Sequence, residues 1–176
     1  MHKENRTLNR RSIRLKEYDY SQDGGYFVTI CTENRKSIFG EIINGTIQLN
    51  ESGSTIAATW QWLSEQYPYI KLDACVVMPN HFHGILFLFN YSKGGSRTAP
   101  TPTRHKPLGR LIGAFKTVST KRFNEIHGTP AQQLWQRNYY EHVIRNETDL
   151  EEIREYIQTN PLRWLEDENH PAKMKK

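Results

Sequence analysis

Residues 76–89 read VVMPNHFHGILFLF, an apolar run broken first by Pro79-Asn80 and then by two histidines, His81 and His83. β-branched, aromatic and leucine residues at this density predict strand, and proline cannot donate within a central ladder. The run therefore divides at Pro79-Asn80 into the end of one strand and the start of the next. In the second strand alternate side chains face opposite ways, so His81 and His83 share one face while Phe82 points away from them into the core. Two neutral imidazoles converging from a rigid strand are preorganised for a divalent ion. The alternative left open by these residues is a pair of half-exposed histidines on a solvated sheet face.

Working outward, GGYFVTICTENR from residue 24 predicts a turn at Gly24-Gly25 followed by a strand. Asn44-Gly45 lies between two short apolar runs, the signal of a two-residue hairpin. Ile56, Trp60 and Leu63 recur at helical intervals over residues 52–67, and Pro68 ends that helix. IKLDACVV supplies the strand before Pro79. Residues 90–107, NYSKGGSRTAPTPTRHKP, are rich in glycine, serine, threonine and proline and predict a mobile loop. After it, Leu108, Leu111, Ile112, Phe115 and Val118 mark an amphipathic helix with a basic outer face. LWQRNYYEHVI then predicts a strand, and DLEEIREYIQTNPLRW a last helix that the Asn160-Pro161 step should end. The order strand, helix, strand, strand, helix, strand, helix predicts an α+β fold, a ferredoxin-like antiparallel sheet backed by helices.

A chain of 176 residues suits one domain with a hydrophobic core. The reading divides it into a basic arm at 1–17, a domain at 18–165 with an inserted hairpin at about 38–50 and the loop at 90–107, and a tail at 166–176. Net charge is +5, and the cations cluster in the arm, around residues 96–110 and at 115–122. Such clustering favours a polyanionic partner such as nucleic acid; the alternative is a solvated basic surface. Cys31 and Cys75 are the only cysteines, both in apolar runs, so neither a disulfide framework nor a CxxC zinc site is in view. Without an apolar stretch near 18 residues or an apolar signal core, the expectation is a cytoplasmic protein with no membrane partner.

On the last helix Tyr156 and Asn160 stand four residues apart, on one face beside the stripe of Leu150, Ile153 and Ile157. Packing alone accounts for a phenol there. The two segments MPNHFHGILFL (78–88) and LWQRNYYEHVIRNETDLEEIREYIQTNPLRW (134–164) together, however, resemble the single-tyrosine transposases of the HUH superfamily, of the insertion-sequence and REP-associated type. HUH denotes histidine, hydrophobe, histidine. The likeness runs from about residue 18 to 164, with the inserted hairpin and the 90–107 loop longer than the compact family core.

The resemblance implies that His81 and His83 bind Mg²⁺ or Mn²⁺, that the C-terminal helix carries the nucleophile Tyr156, and that Asn160 stands where relatives present a third, polar ligand. It implies a transposase that cleaves and rejoins single-stranded or hairpin DNA through a 5′-phosphotyrosyl intermediate, working in DNA transposition or repeat-element mobilisation and associated with the nucleoid. It leaves open whether the chain is a monomer or a homodimer exchanging its tyrosine helix. Candidate DNA contacts are Arg10, Arg11 and Arg14 in the arm and Arg110, Lys116, Lys121 and Arg122 on the second helix. Tyr139 and Tyr140 compete for the nucleophile's role, but they are adjacent in a strand, where only one can face a metal, and lack an amide at helical spacing. His127 and His142 read as surface or hydrogen-bonding residues. A histidine-triad nucleotide hydrolase would need a third histidine at position 85, which is Ile85. The competing function is a non-catalytic module that binds a nucleic-acid hairpin.

Overall fold

A computed structural model describes residues 18–89 and 105–173. The basic arm, with Arg10, Arg11 and Arg14, lies outside the described residues, as does most of the segment read as a mobile loop. Along the chain run β1 (Gly24–Cys31), the hairpin β2 (Gly40–Ile43) and β3 (Thr46–Leu49), α1 (Glu51–Gln66), β4 (Ile70–Val77), β5 (His81–Leu88), α2 (Leu108–His127), β6 (Tyr140–Ile144) and α3 (Glu147–Thr159). The main sheet has the order β4-β5-β1-β6 with every pairing antiparallel. With the hairpin set aside this is the ferredoxin-like βαββαβ arrangement, two crossing units sharing one sheet. Among the described residues no helix is long and apolar enough to cross a membrane.

Local chemistry sets the element ends. Asn50 and Asn146 cap α1 and α3, their side-chain oxygens accepting from the backbone N–H of Gly53 and Asp149 at 2.9 Å each. Asn44 and Gly45 both take positive φ, 51° and 74°, which the two-residue hairpin turn demands. Pro161 ends α3 just after Asn160, as the sequence reading expected. The last strand is shorter than the run LWQRNYYEHVI suggested. Trp135 makes only a single antiparallel bridge, to Thr32, and the side chains of Leu134 and Trp135 fill the core beneath α2, where the Trp135 indole N–H donates to Ser119 Oγ at 2.8 Å. Regular pairing starts only at Tyr140.

The strand alternation sorts the two faces. Tyr26, Val28 and Ile30 of β1 and Phe82 and Leu86 of β5 join Ile56, Trp60 and Leu63 of α1 and Leu111, Ile112 and Phe115 of α2 in the larger core. Phe82 packs with ring centroids 4.7 Å from Trp60 and 5.3 Å from Phe115. On the opposite face Phe27 and Ile85 meet Leu150 and Ile157 of α3. α3 is held across the sheet by Arg154, whose Nε and Nη2 donate to the two carboxylate oxygens of Asp73 at 2.9 and 2.7 Å. Those hydrogen bonds keep the Asp73 carboxyl below its usual range. Phe82→Ala should empty the centre of the larger core at a cost of about 3–5 kcal/mol. Urea unfolding checks this: the midpoint drops while the slope stays unchanged.

Candidate active site

β5 starts directly after the Pro79-Asn80 turn, and its first and third residues, His81 and His83, face α3 rather than water. They are 0 % and 1 % exposed, which replaces the half-exposed alternative with a buried pair. In register, His83 lies opposite Thr29 and His81 opposite Cys31 on β1. The two Nε2 atoms approach to 2.9 Å. Burial, and secondarily Arg35, pushes the His81 imidazole down to about 3; burial with the neighbouring His81 holds His83 well below its ordinary value. Both rings are therefore neutral at physiological pH, the form in which imidazole ligates metal.

The proton positions follow from the surrounding hydrogen bonds. Asn80 Nδ2 donates to the carbonyls of Arg35 (3.1 Å) and Asn169 (2.8 Å), which turns its Oδ1 toward His81 Nδ1 at 2.8 Å. An amide oxygen only accepts, so His81 carries its proton on Nδ1 and presents the Nε2 lone pair to the site. His83 Nδ1 meets the Thr29 hydroxyl at 2.8 Å, a partner able to donate or accept. Asn80 thus acts as a positioning residue. Asn80→Ala should weaken Mn²⁺ binding by about 10–100-fold, the usual cost of losing an outer-shell partner. Titration followed by electron paramagnetic resonance measures it, and an unchanged affinity would remove Asn80 from this role.

Two further groups close the site. Asp167 is buried; its carboxylate oxygens accept from Asn160 Nδ2 at 2.9 Å and from the Asn169 backbone N–H at 2.6 Å, and Oδ2 stands 3.8 Å from His81 Nε2. With His81 neutral, that last contact is not an ion pair. His81, His83 and Asp167 each offer a ligand atom, all within 4.8 Å of one another. Asn160 is buried, and its Oδ1 has no hydrogen-bond partner among the described residues. An orphaned amide oxygen, a carboxylate and two neutral imidazoles form a donor set suited to a divalent cation. Asp167 escaped the sequence reading because it lies in the segment taken as a tail. No spacing rule ties it to a histidine more than eighty residues earlier, and only the fold of the chain after Pro161 brings it there.

Tyr156 projects from the third turn of α3, 42 % exposed, with its hydroxyl 3.4 Å from His83 Nε2 and its ring edge-on to Phe27. Desolvation, then the charges of Asp167 and Glu168, push its pKa up to about 12, against a smaller opposing pull from Asn160. One chain supplies both the histidines and this phenol. Tyr140 shares the histidine face, opposite Thr29, while Tyr139 packs against the larger core. His142 bonds Asp149 at 2.9 Å and His127 shares a hydrogen bond with Ser52 at 2.7 Å, in keeping with hydrogen-bonding roles. The cations of α2 stand on the far side of the sheet. Lys116 donates to the carbonyls of Gln136 and Arg137, Arg122 donates to Thr59 Oγ1, Lys121 pairs with Glu125 at 3.8 Å, and Arg110 lines an open groove of about 990 Å³.

No family model matches the chain. An uncharacterized protein of Haemophilus influenzae is 38% identical to it over 171 residues, covering 91% of this chain and 92% of that one. A second Haemophilus influenzae protein, described provisionally as a REP-associated tyrosine transposase, is 26% identical over 154 residues, or 82% of this chain and 74% of its own length. The fold agrees with a solved REP-associated tyrosine transposase bound to a REP hairpin, at a TM-score of 0.58 and 22% identity over 86% of this chain and 73% of the other. The chain shares its fold with a tyrosine transposase. A Deinococcus radiodurans protein, described provisionally as a transposase, shares the fold at a TM-score of 0.50 with 19% identity, over 82% of this chain and 96% of its own. Within that fold, His81, His83, Tyr156 and Asn160 come together, with Asp167 added.

Proposed function

We propose that the chain cleaves and rejoins single-stranded or hairpin DNA, with Tyr156 as nucleophile and His81, His83, Asn160 and Asp167 as the holders of Mg²⁺ or Mn²⁺. The observation that carries this reading is the 3.4 Å approach of the Tyr156 hydroxyl to His83 Nε2, at the mouth of a buried pair of neutral imidazoles. A divalent ion, when bound, withdraws charge from a phosphate oxygen and makes phosphorus more electrophilic. Tyr156 loses its proton and forms a bond to phosphorus; the bond to the 3′-oxygen breaks, and that oxygen takes up a proton. The covalent product is a 5′-phosphotyrosine beside a free 3′-OH, so the bond energy is kept for rejoining by a 3′-OH in the reverse sense. With His81 Nε2 unprotonated, the 2.9 Å Nε2···Nε2 contact makes His83 Nε2 the donor, so ligation by His83 would need its proton on Nδ1, where the Thr29 hydroxyl can accept it. The proximity of phenol and imidazoles within one chain supports attack in cis.

The polarity of the adduct tests the chemistry. With the full chain, Mn²⁺ and an oligonucleotide labelled at each end in turn, a denaturant-resistant adduct should retain the 3′-labelled fragment, and the released piece should end in an extendable 3′-OH. An adduct that retains the 5′-labelled fragment would overturn the mechanism, and binding without adduct would favour the non-catalytic hairpin module. For DNA affinity, Arg110 is a cation of α2 that lines an open groove. Arg110→Ala should weaken binding across sequences and lower the salt slope by about one unit; an unchanged slope would exclude it as a phosphate contact.

A further inference from the structure

A cavity of about 500 Å³ opens beside Tyr156 and His83. Its inner wall is Phe27, Thr29 and His83 from the sheet; its outer wall is Gln136, Asn138 and Tyr140 from the segment entering β6. We propose that this cavity is a pocket for one unpaired nucleobase of the DNA strand next to the scissile phosphate. Its placement beside the cut rests on the phosphotyrosyl reading above.

Three observations carry the assignment. First, Tyr140 lies opposite Thr29, on the histidine face of the edge strand, and is 48 % exposed with its ring 6.4 Å from Phe27 at 69°. A large aromatic left half in water beside a cavity contributes little to the core, whereas it is the platform on which a single-stranded base stacks. Second, Gln136 and Asn138 bring two carboxamides to the same wall. An amide offers a donor and an acceptor side by side, the pairing that reads a base edge at two points. Third, the backbone at Gln136 and Arg137 is anchored. Gln136 N–H donates to the Cys31 carbonyl at 2.9 Å, and the half-buried Lys116 ammonium donates to the carbonyls of Gln136 and Arg137. That explains why a cation of the basic helix turns inward, and it fixes the backbone from which the Gln136 side chain leaves, as a specificity pocket requires. The volume falls in the range of small-molecule sites and excludes a duplex. Because Tyr156 and His83 form part of the lining, a base seated here belongs to the nucleotide adjoining the phosphate under attack.

The test uses the full chain and a DNA hairpin with unpaired flanks, selected for binding from a pool of random flanks, with 2-aminopurine placed at each flank position in turn. One position should show quenched fluorescence on binding, and an abasic site there should weaken binding. Tyr140→Ala should remove that quenching and weaken binding about five- to a hundredfold, the range for loss of one stacking platform. Gln136→Ala and Asn138→Ala should change which base is preferred at that position while leaving preferences elsewhere as they were. Quenching at no flank position, or quenching and base preference untouched by Tyr140→Ala, overturns the pocket. A wild-type adduct without Tyr140-dependent quenching sinks the pocket and leaves the tyrosine chemistry standing. Tyr140-dependent quenching without any adduct does the reverse.

Discussion

Tyr156→Phe should abolish both cleavage and covalent adduct, lowering the rate by at least about a thousandfold, as expected when a nucleophile is removed outright. The substitution deletes one oxygen. The ring keeps its edge-on packing against Phe27 and His83, so fold, Mn²⁺ binding and hairpin binding should match the wild type. Tyr139→Phe and Tyr140→Phe keep their rings and should retain adduct formation, because neither hydroxyl is the proposed nucleophile. The pH dependence adds a second readout. Burial and the nearby acids hold the Tyr156 phenol protonated, at about 12. Attack requires the phenolate, whose fraction rises as pH rises toward that value, so the single-turnover rate should climb with pH by close to tenfold per unit between about pH 7 and 9. A flat profile, or adduct from Tyr156→Phe, would place the chemistry on another residue.

The sequence made the sheet legible because its signals are local. Alternation through residues 81–88 assigns one face to the histidines and the other to Phe82, and the fold keeps both assignments. Asn44-Gly45, Pro68 and Asn160-Pro161 mark ends that depend only on neighbouring residues. What was not legible depends on contacts distant along the chain. The burial of His81 and His83 comes from α3 and from the chain after it, including Trp164, whose ring centroid lies 5.9 Å from that of His81. Asp167 enters the site by the same route. Lys116 reads as one basic position among several on α2, yet it is held by carbonyls of the segment leading into β6. Periodicity identifies which side of an element a residue takes, but not what another part of the chain will lay across it.

His81→Ala and His83→Ala should each eliminate cleavage and lower Mn²⁺ affinity at least about tenfold. Because both rings are buried, each variant should also lose about 2–4 kcal/mol of stability by opening a cavity, so loss of activity alone does not identify a ligand. Phe82→Ala separates the two effects. It lies between the histidines in sequence, points into the opposite core and should be destabilised at least as much, yet below its unfolding midpoint it should still bind Mn²⁺ and form adduct. His83→Gln, which keeps most of the volume, should recover part of the stability without recovering cleavage. The neutral state of both imidazoles gives one more expectation. A histidine pair with ordinary pKa values near 6.5 would exchange protons for metal over about pH 6 to 8, and its affinity would rise across that range. Here the protons are already absent, so Mn²⁺ affinity in the wild type should stay nearly constant over the same interval. Equal loss of Mn²⁺ binding in Phe82→Ala and His83→Ala would show that the histidine face is not the metal site.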